Sequence, residues 1–296
     1  MNDRKQHVIQ VAHQLFIEKG FQATSIQDII ECSGISKGTF YNYFPSKNEL
    51  LKALLKSIYQ KMEIERNELL IGKSPADLDI FIKQVELLLH TNRAHSLITL
   101  FEEVMSSSDE DLKQFLKEGQ LKTIRWLYQR FLDLYGEEKK PYLLDSAIMF
   151  LGILYHNLKY SRMAYGSDFN YPDVVRYSVE RIVKMIQEMT EVRSPLFPPE
   201  LLHRWLPESN PDEKTLQQNL QDTIAGLKKD LSIQDDPSKY LAWLDFIQDE
   251  LLYTSPPREF LIESVLASLQ AVPSPLKQAE LQQLQSLVDD ILALRR

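Results

Sequence analysis

Between residues 36 and 47 the chain concentrates side chains able to hydrogen-bond a base edge or neutralise a phosphate. If residues 37–44 form a helix, each advances about 100° round its axis. Phe40 and Phe44, four apart, then share an inner face, and Gly38, Thr39, Tyr41 and Asn42 lie opposite. These are small or hydrogen-bonding, as a surface entering a DNA groove requires. Lys37 and Tyr43 flank that face, and Lys47, just past the helix, can neutralise a phosphate. Spacing alone supports a second reading equally well: a packing helix with half-buried tyrosines, in a helical interaction module whose helix pair serves a protein partner.

The elements that must position these residues are legible on either side. A first helix over about 3–19 carries an apolar stripe of Val8, Ile9, Ala12, Leu15 and Phe16 and stops at Gly20. A second opens at Thr24 or Ser25, either of which can cap backbone N–H groups, and buries Ile26, Ile29 and Ile30. Ser33-Gly34 breaks it, Ile35 points inward, and Ser36 caps the third helix, which ends near Phe44. Two short helices about a glycine turn are the form of a helix-turn-helix, whose second helix lies in the major groove.

Helical periodicity continues at about 47–70, 75–91, 95–106, 109–135, 140–164 and 171–190. The helix at 140–164 is apolar on more than one face and so must be covered on several sides. With 171–190, whose stripe is Val174, Val175, Val179, Ile182, Val183 and Ile186, it is expected to pair with its mate in a homodimer. Phe101, Met105, Trp126, Tyr128, Phe150, Tyr155, His156, Lys159 and Met163 are candidates to line a pocket for a small hydrophobic effector, or are simply core. A proline-rich break at 193–200 reads as a linker. Beyond it, Pro211, Pro237, Pro257 and Pro275 recur near the starts of four or five further helices of about fifteen residues.

The expected fold is therefore all-α, with a helix-turn-helix domain over 1–47, a regulatory and dimerisation domain over 48–190, and a helical extension over 191–296. The formal net charge of -8 does not oppose DNA binding. The extension alone holds 10 basic and 17 acidic residues, whereas residues 1–60 hold 7 basic and 5 acidic. Local charge governs contact with phosphates. No phosphate loop, His-Glu-x-x-His, paired cysteines or Gly-x-Ser-x-Gly is present, so neither an enzyme nor a metal or other cofactor is expected. The polar start and the lack of a long apolar run predict a cytoplasmic chain with no membrane contact.

Residues 8–54 resemble the DNA-binding domain of the TetR family of transcriptional regulators. The resemblance rests on Leu15-Phe16, Gly20-Phe21, Thr24-Ser25-Ile26, Ile29, the run from Ser33 to Phe44, Lys47 and Leu50. It implies a helical homodimer on a palindromic operator, usually a repressor released by a small ligand. It further implies base or phosphate contacts by Lys37, Thr39, Tyr41 and Tyr43, a phosphate contact by Lys47, and support from Ser25 and Gln27. Longer members of this kind are associated with efflux transporters. Cys32 stands where the family usually has alanine and is expected to be buried and inert.

Overall fold

The computed structural model describes residues 3–166, 169–189, 195–206, 211–231, 238–253, 257–271 and 278–295. Among these the regular structure is helical. The first four helices are α1 (Asp3–Lys19), α2 (Ile26–Ser33), α3 (Lys37–Tyr43) and α4 (Lys47–Glu68). Next come α5 (Leu78–Ala94), α6 (Leu97–Met105) and α7 (Glu110–Tyr135). A 3-10 turn over Glu137–Tyr142 leads into α8 (Leu143–Tyr165) and α9 (Tyr171–Glu188). The tail holds α10 (Leu201–Trp205), α11 (Pro211–Leu231), α12 (Ser238–Tyr253), α13 (Glu259–Ala271) and α14 (Gln278–Arg295).

The helix starts have local causes. Ser25, Ser36, Ser46, Asp77 and Asp109 each precede a helix, and their side-chain oxygens accept backbone N–H groups of its first turn. Prolines also fall near the starts of the tail helices, with Pro211 opening α11 and Pro257 two residues ahead of α13. Pro237 and Pro275, the other two expected at helix starts, lie outside the described residues, as do 193 and 194 of the expected linker.

The chain divides into two compact units, 1–207 and 208–296. The first has two apolar clusters. One joins Val8, Phe16, Ile29, Phe40, Phe44 and Leu54 of α1–α4 to Leu100 of α6 and Leu112 and Leu116 of α7. The three N-terminal helices thus share one core with α4, α6 and α7, and packing has no break after residue 47. The other cluster gathers Phe81 and Val85 of α5, Leu127 and Phe131 of α7, Phe150 of α8, Val179 and Ile182 of α9, and Leu202 of α10. Residues 195–206 therefore pack with the first unit rather than opening the extension. The second unit has its own core, including Leu220, Leu227, Leu244, Ile247, Ile262, Leu284 and Ile291 from four helices.

Candidate nucleic-acid interface

The α1–α2–α3 geometry is set by a few polar latches. Thr24 is fully buried, and its hydroxyl donates to the Gly20 carbonyl at 2.7 Å. Ser25 accepts the Asp28 N–H at 3.1 Å while Asp28 accepts the Ser25 N–H at 2.8 Å, closing a reciprocal cap on α2. The Ser25 hydroxyl, its backbone N–H and the Lys19 ammonium, 3.0 Å away, hold the Asp28 carboxyl well below the usual carboxylate range. Gly34 ends α2 at φ 65°, the left-handed conformation that lets α3 turn away. Ser36 then accepts the Thr39 N–H at 3.1 Å and starts α3.

These latches turn one side of α3 inward and the other out. Phe40 and Phe44 are buried at 0% and 2% exposure. Lys37, Gly38, Tyr41 and Asn42 are exposed, and Tyr41 keeps its ring edge-on to Phe40 at 5.4 Å. Thr39 is half-buried, its hydroxyl 2.9 Å from that of Ser36. Tyr43 is half-buried against the apolar cluster. The outward face thus offers a cation, a phenol and an amide around a position with no side chain. That set can donate to and accept from base edges and phosphates. A Cβ built at Gly38 would meet only the Ser36 hydroxyl, at 3.8 Å, so nothing inside the protein demands glycine there.

Other expected residues are placed differently. Lys47 was expected on a phosphate. Its ammonium instead donates to the carbonyls of Phe21 (2.8 Å), Thr24 (2.7 Å) and Gln22 (3.4 Å) and sits 4.5 Å from the Phe21 ring centre. Burial lowers its pKa. It clamps the α1–α2 loop to the start of α4. Ser25 and Ser36 act as caps, and the exposed Gln27 donates to Glu31 at 2.7 Å. Cys32 is exposed, because Ser33, four residues after Ile29, takes the inner position and donates to the Ile29 carbonyl at 2.6 Å. One partner of this region gave no sequence signal: Glu103 on α6 accepts the Gln22 N–H at 3.1 Å.

The residues expected to line an effector pocket do not converge. Phe101 packs in the N-terminal cluster. Met105, on the same helix, is half-buried. Trp126 and Phe150 belong to the other cluster. Tyr155, His156 and Lys159 are exposed on the outer side of α8. The helical period places them away from Phe150 and Leu154, which turn inward.

The family profile described as "Bacterial regulatory proteins, tetR family" matches residues 8–54, the segment from α1 into α4. Over the wider chain, YerO, an HTH-type transcriptional regulator of Bacillus subtilis, is 27% identical across 91% of this chain and 90% of its own. YuxN, another from Bacillus subtilis, is 25% identical across 95% of this chain and 96% of its own. Residues 8–54 are therefore a TetR-family DNA-binding segment, in a chain similar nearly throughout to HTH-type transcriptional regulators. Coverage this complete means that both relatives share much of the tail. The solved structure of FrrA, a flavonoid-responsive regulator, superposes with a TM-score of 0.50 at 25% identity, covering 64% of this chain and 97% of that one. The segment that this profile matches carries its helix-turn-helix on α2 and α3. No described helix is long and apolar enough to cross a membrane.

Proposed function

We propose that this regulator is a repressor that binds a palindromic operator as a homodimer and lets go when a small molecule binds its helical domain. The observation that carries the DNA-contact assignment is the split of α3 into a buried Phe40–Phe44 side and an exposed Lys37–Gly38–Tyr41–Asn42 side. Tyr41 and Asn42 read base edges, Lys37 meets phosphate, and Gly38 allows the groove to approach the helix backbone. Thr39 and Tyr43 support that face from its margins. Ser25, Ser36 and Lys47 hold it in place.

The dimer reading rests on α8 and α9. Tyr155, Tyr160, Met163 and Tyr165 of α8 are 50%, 54%, 75% and 69% exposed, and Tyr177 of α9 is 53% exposed. So many large apolar and aromatic side chains on one helix pair suit a subunit interface. A two-fold protein matches a palindromic site.

The control reading rests on α4. Lys47 in its first turn grips the loop behind the helix-turn-helix, and near its far end, about 30 Å away, the Arg66 carbonyl accepts a hydrogen bond from Gln84 of α5. Asn48 and Lys52 also bond Asp109 and Asp111 at the head of α7. A ligand that shifts α4 or α7 therefore moves α3. The flavonoid response named for FrrA supports small-molecule control. The family resemblance supports the repressing sign and an efflux transporter as target.

The deciding experiment incubates the purified chain with fragmented genomic DNA of its host and sequences what is retained. The expected result is one short palindrome beside a promoter, lost with Tyr41→Ala. Retention without a palindrome would overturn the two-fold reading, and no retention in low salt would overturn the reading as a whole.

A further inference from the structure

Deep in the first unit, two arginines lie where apolar residues would ordinarily pack. Arg66, in the last turn of α4, is 7% exposed, and Arg130 of α7 is 3% exposed. Gln84 of α5, fully buried, links them: it donates to the Arg66 carbonyl at 2.8 Å and accepts the Arg130 Nε–H at 2.8 Å. The Arg66 guanidinium lies over the Trp126 ring, 4.1 Å from its centre.

The charge balance of this cluster is incomplete. Arg130 Nη1 donates to Asp133 at 2.7 Å. Arg66 has no ion pair of its own among the described residues, and Glu63, a turn earlier on α4, acts on it only through its field. Arg66 Nε, Arg130 Nη2 and Trp126 Nε1 are buried and meet no acceptor. A structural ion pair would fill these donors, because a buried, half-paired guanidinium is costly. The cluster therefore holds three N–H donors and an excess of positive charge from two helices, α4 and α7.

Resting on the reading that a small molecule controls this regulator, we infer that Arg66, Arg130 and Trp126 bind the carboxylate of a small organic acid. A carboxylate accepts several hydrogen bonds in a plane and suits guanidinium forks. Trp126 is 6.1 Å from Phe81, which in turn contacts Phe131 and Phe150 at 5.5 and 5.8 Å. That aromatic wall suits the acid's apolar body. Of the residues singled out from sequence as effector contacts, Trp126 belongs at the carboxylate and Phe150 in the aromatic wall. Arg66 was missed from sequence, although its place four residues after Met62, on the side of α4 that the structure buries, is a signal that could have found it.

The test is thermal unfolding of the full chain with sodium benzoate or sodium octanoate, against benzyl alcohol, sodium phosphate and sodium chloride at equal ionic strength. The two carboxylates are expected to raise the melting temperature by several degrees beyond chloride, and benzyl alcohol is not. Trp126→Phe keeps the ring and removes one donor, so the carboxylate shift shrinks. Arg66→Met abolishes the shift and melts no lower than the wild type without ligand, since a buried unpaired charge is gone. A structural arginine would give the reverse, a lower melting temperature with the shift retained. No carboxylate shift, an equal shift in the variants, or a larger one with phosphate overturns the assignment. DNA retention is measured on the same protein. Retention with no carboxylate effect refutes this site and leaves the regulator standing; a carboxylate effect without retention upholds the site and refutes the proposed function.

Discussion

At Gly38 a short helix carries a residue that weakens helices by about 1 kcal/mol relative to alanine, although the protein has room for a methyl group. The proposed groove contact explains the choice. Gly38→Ala is accordingly expected to raise thermal stability by an amount of that order and to weaken DNA binding at least about tenfold, or about 1.4 kcal/mol. Melting curves and anisotropy on the retained palindrome measure both, and a variant that binds as well as the wild type refutes close approach. Lysines 37 and 47 separate by salt. Lys37 is exposed, so Lys37→Met should lower the slope of log affinity against log salt by about 1. The Lys47 ammonium is spent on three carbonyls, so Lys47→Met should lower the melting temperature and the affinity with the slope unchanged. The helical period made Lys37, Tyr41 and Asn42 legible, because Phe40 and Phe44 fix the opposite face. Lys47 was not legible in this role: its acceptors lie on a loop more than twenty residues earlier, brought to it only by tertiary packing.

Between elements, the joint of α5 and α6 meets α1 at a pair of imidazoles. His13 Nε2 and His95 Nδ1 are 3.3 Å apart, and the next residue, Ser96, holds φ at 51°, a left-handed conformation that strains a residue with a side chain. Burial, with the charge of His95, lowers the pKa of His13; burial, with Lys61 and His90, lowers that of His95, while Glu65 pulls it back up. Both rings take up a proton less readily in the folded chain, so the unfolded chain is protonated first. Stability is thus present above about pH 6.5, the unfolded value, and lost as pH falls toward the folded values. Urea midpoints from pH 8 to 5.5 should fall, and His13→Gln should flatten the fall; an unchanged profile in that variant would remove the pair as its cause. The helices on either side of this joint were readable from periodicity and caps. The pairing itself was not, since a histidine on a helix carries no mark of the turn it will face 82 residues later.

At the scale of the whole chain, the proline-rich stretch made a boundary visible near residue 193 but put it in the wrong relation to the core. Phe197, Leu202 and Trp205 pack against α5, α7, α8 and α9, and Asp145 of α8 accepts the N–H groups of Leu196 and Phe197 at 2.9 and 2.7 Å. Arg125 of α7 donates to the Leu206 carbonyl. Prolines signal where a helix must stop and say nothing of which core the following residues join. A chain ending at residue 206 should therefore keep the stability of the first unit. One ending at 194 should lose about 2–5 kcal/mol, the cost of emptying one large buried apolar site, with Asp145 stripped of its two donors as well. The four helices beyond 208 close their own core of leucines and isoleucines from α11 through α14, so the fragment 208–296 should melt cooperatively by itself. Circular dichroism of the three chains decides it. If the chain ending at 194 melts with the chain ending at 206, α10 is surface dressing; if 208–296 unfolds without a transition, its core depends on the first unit, and the tail is an extension rather than a domain.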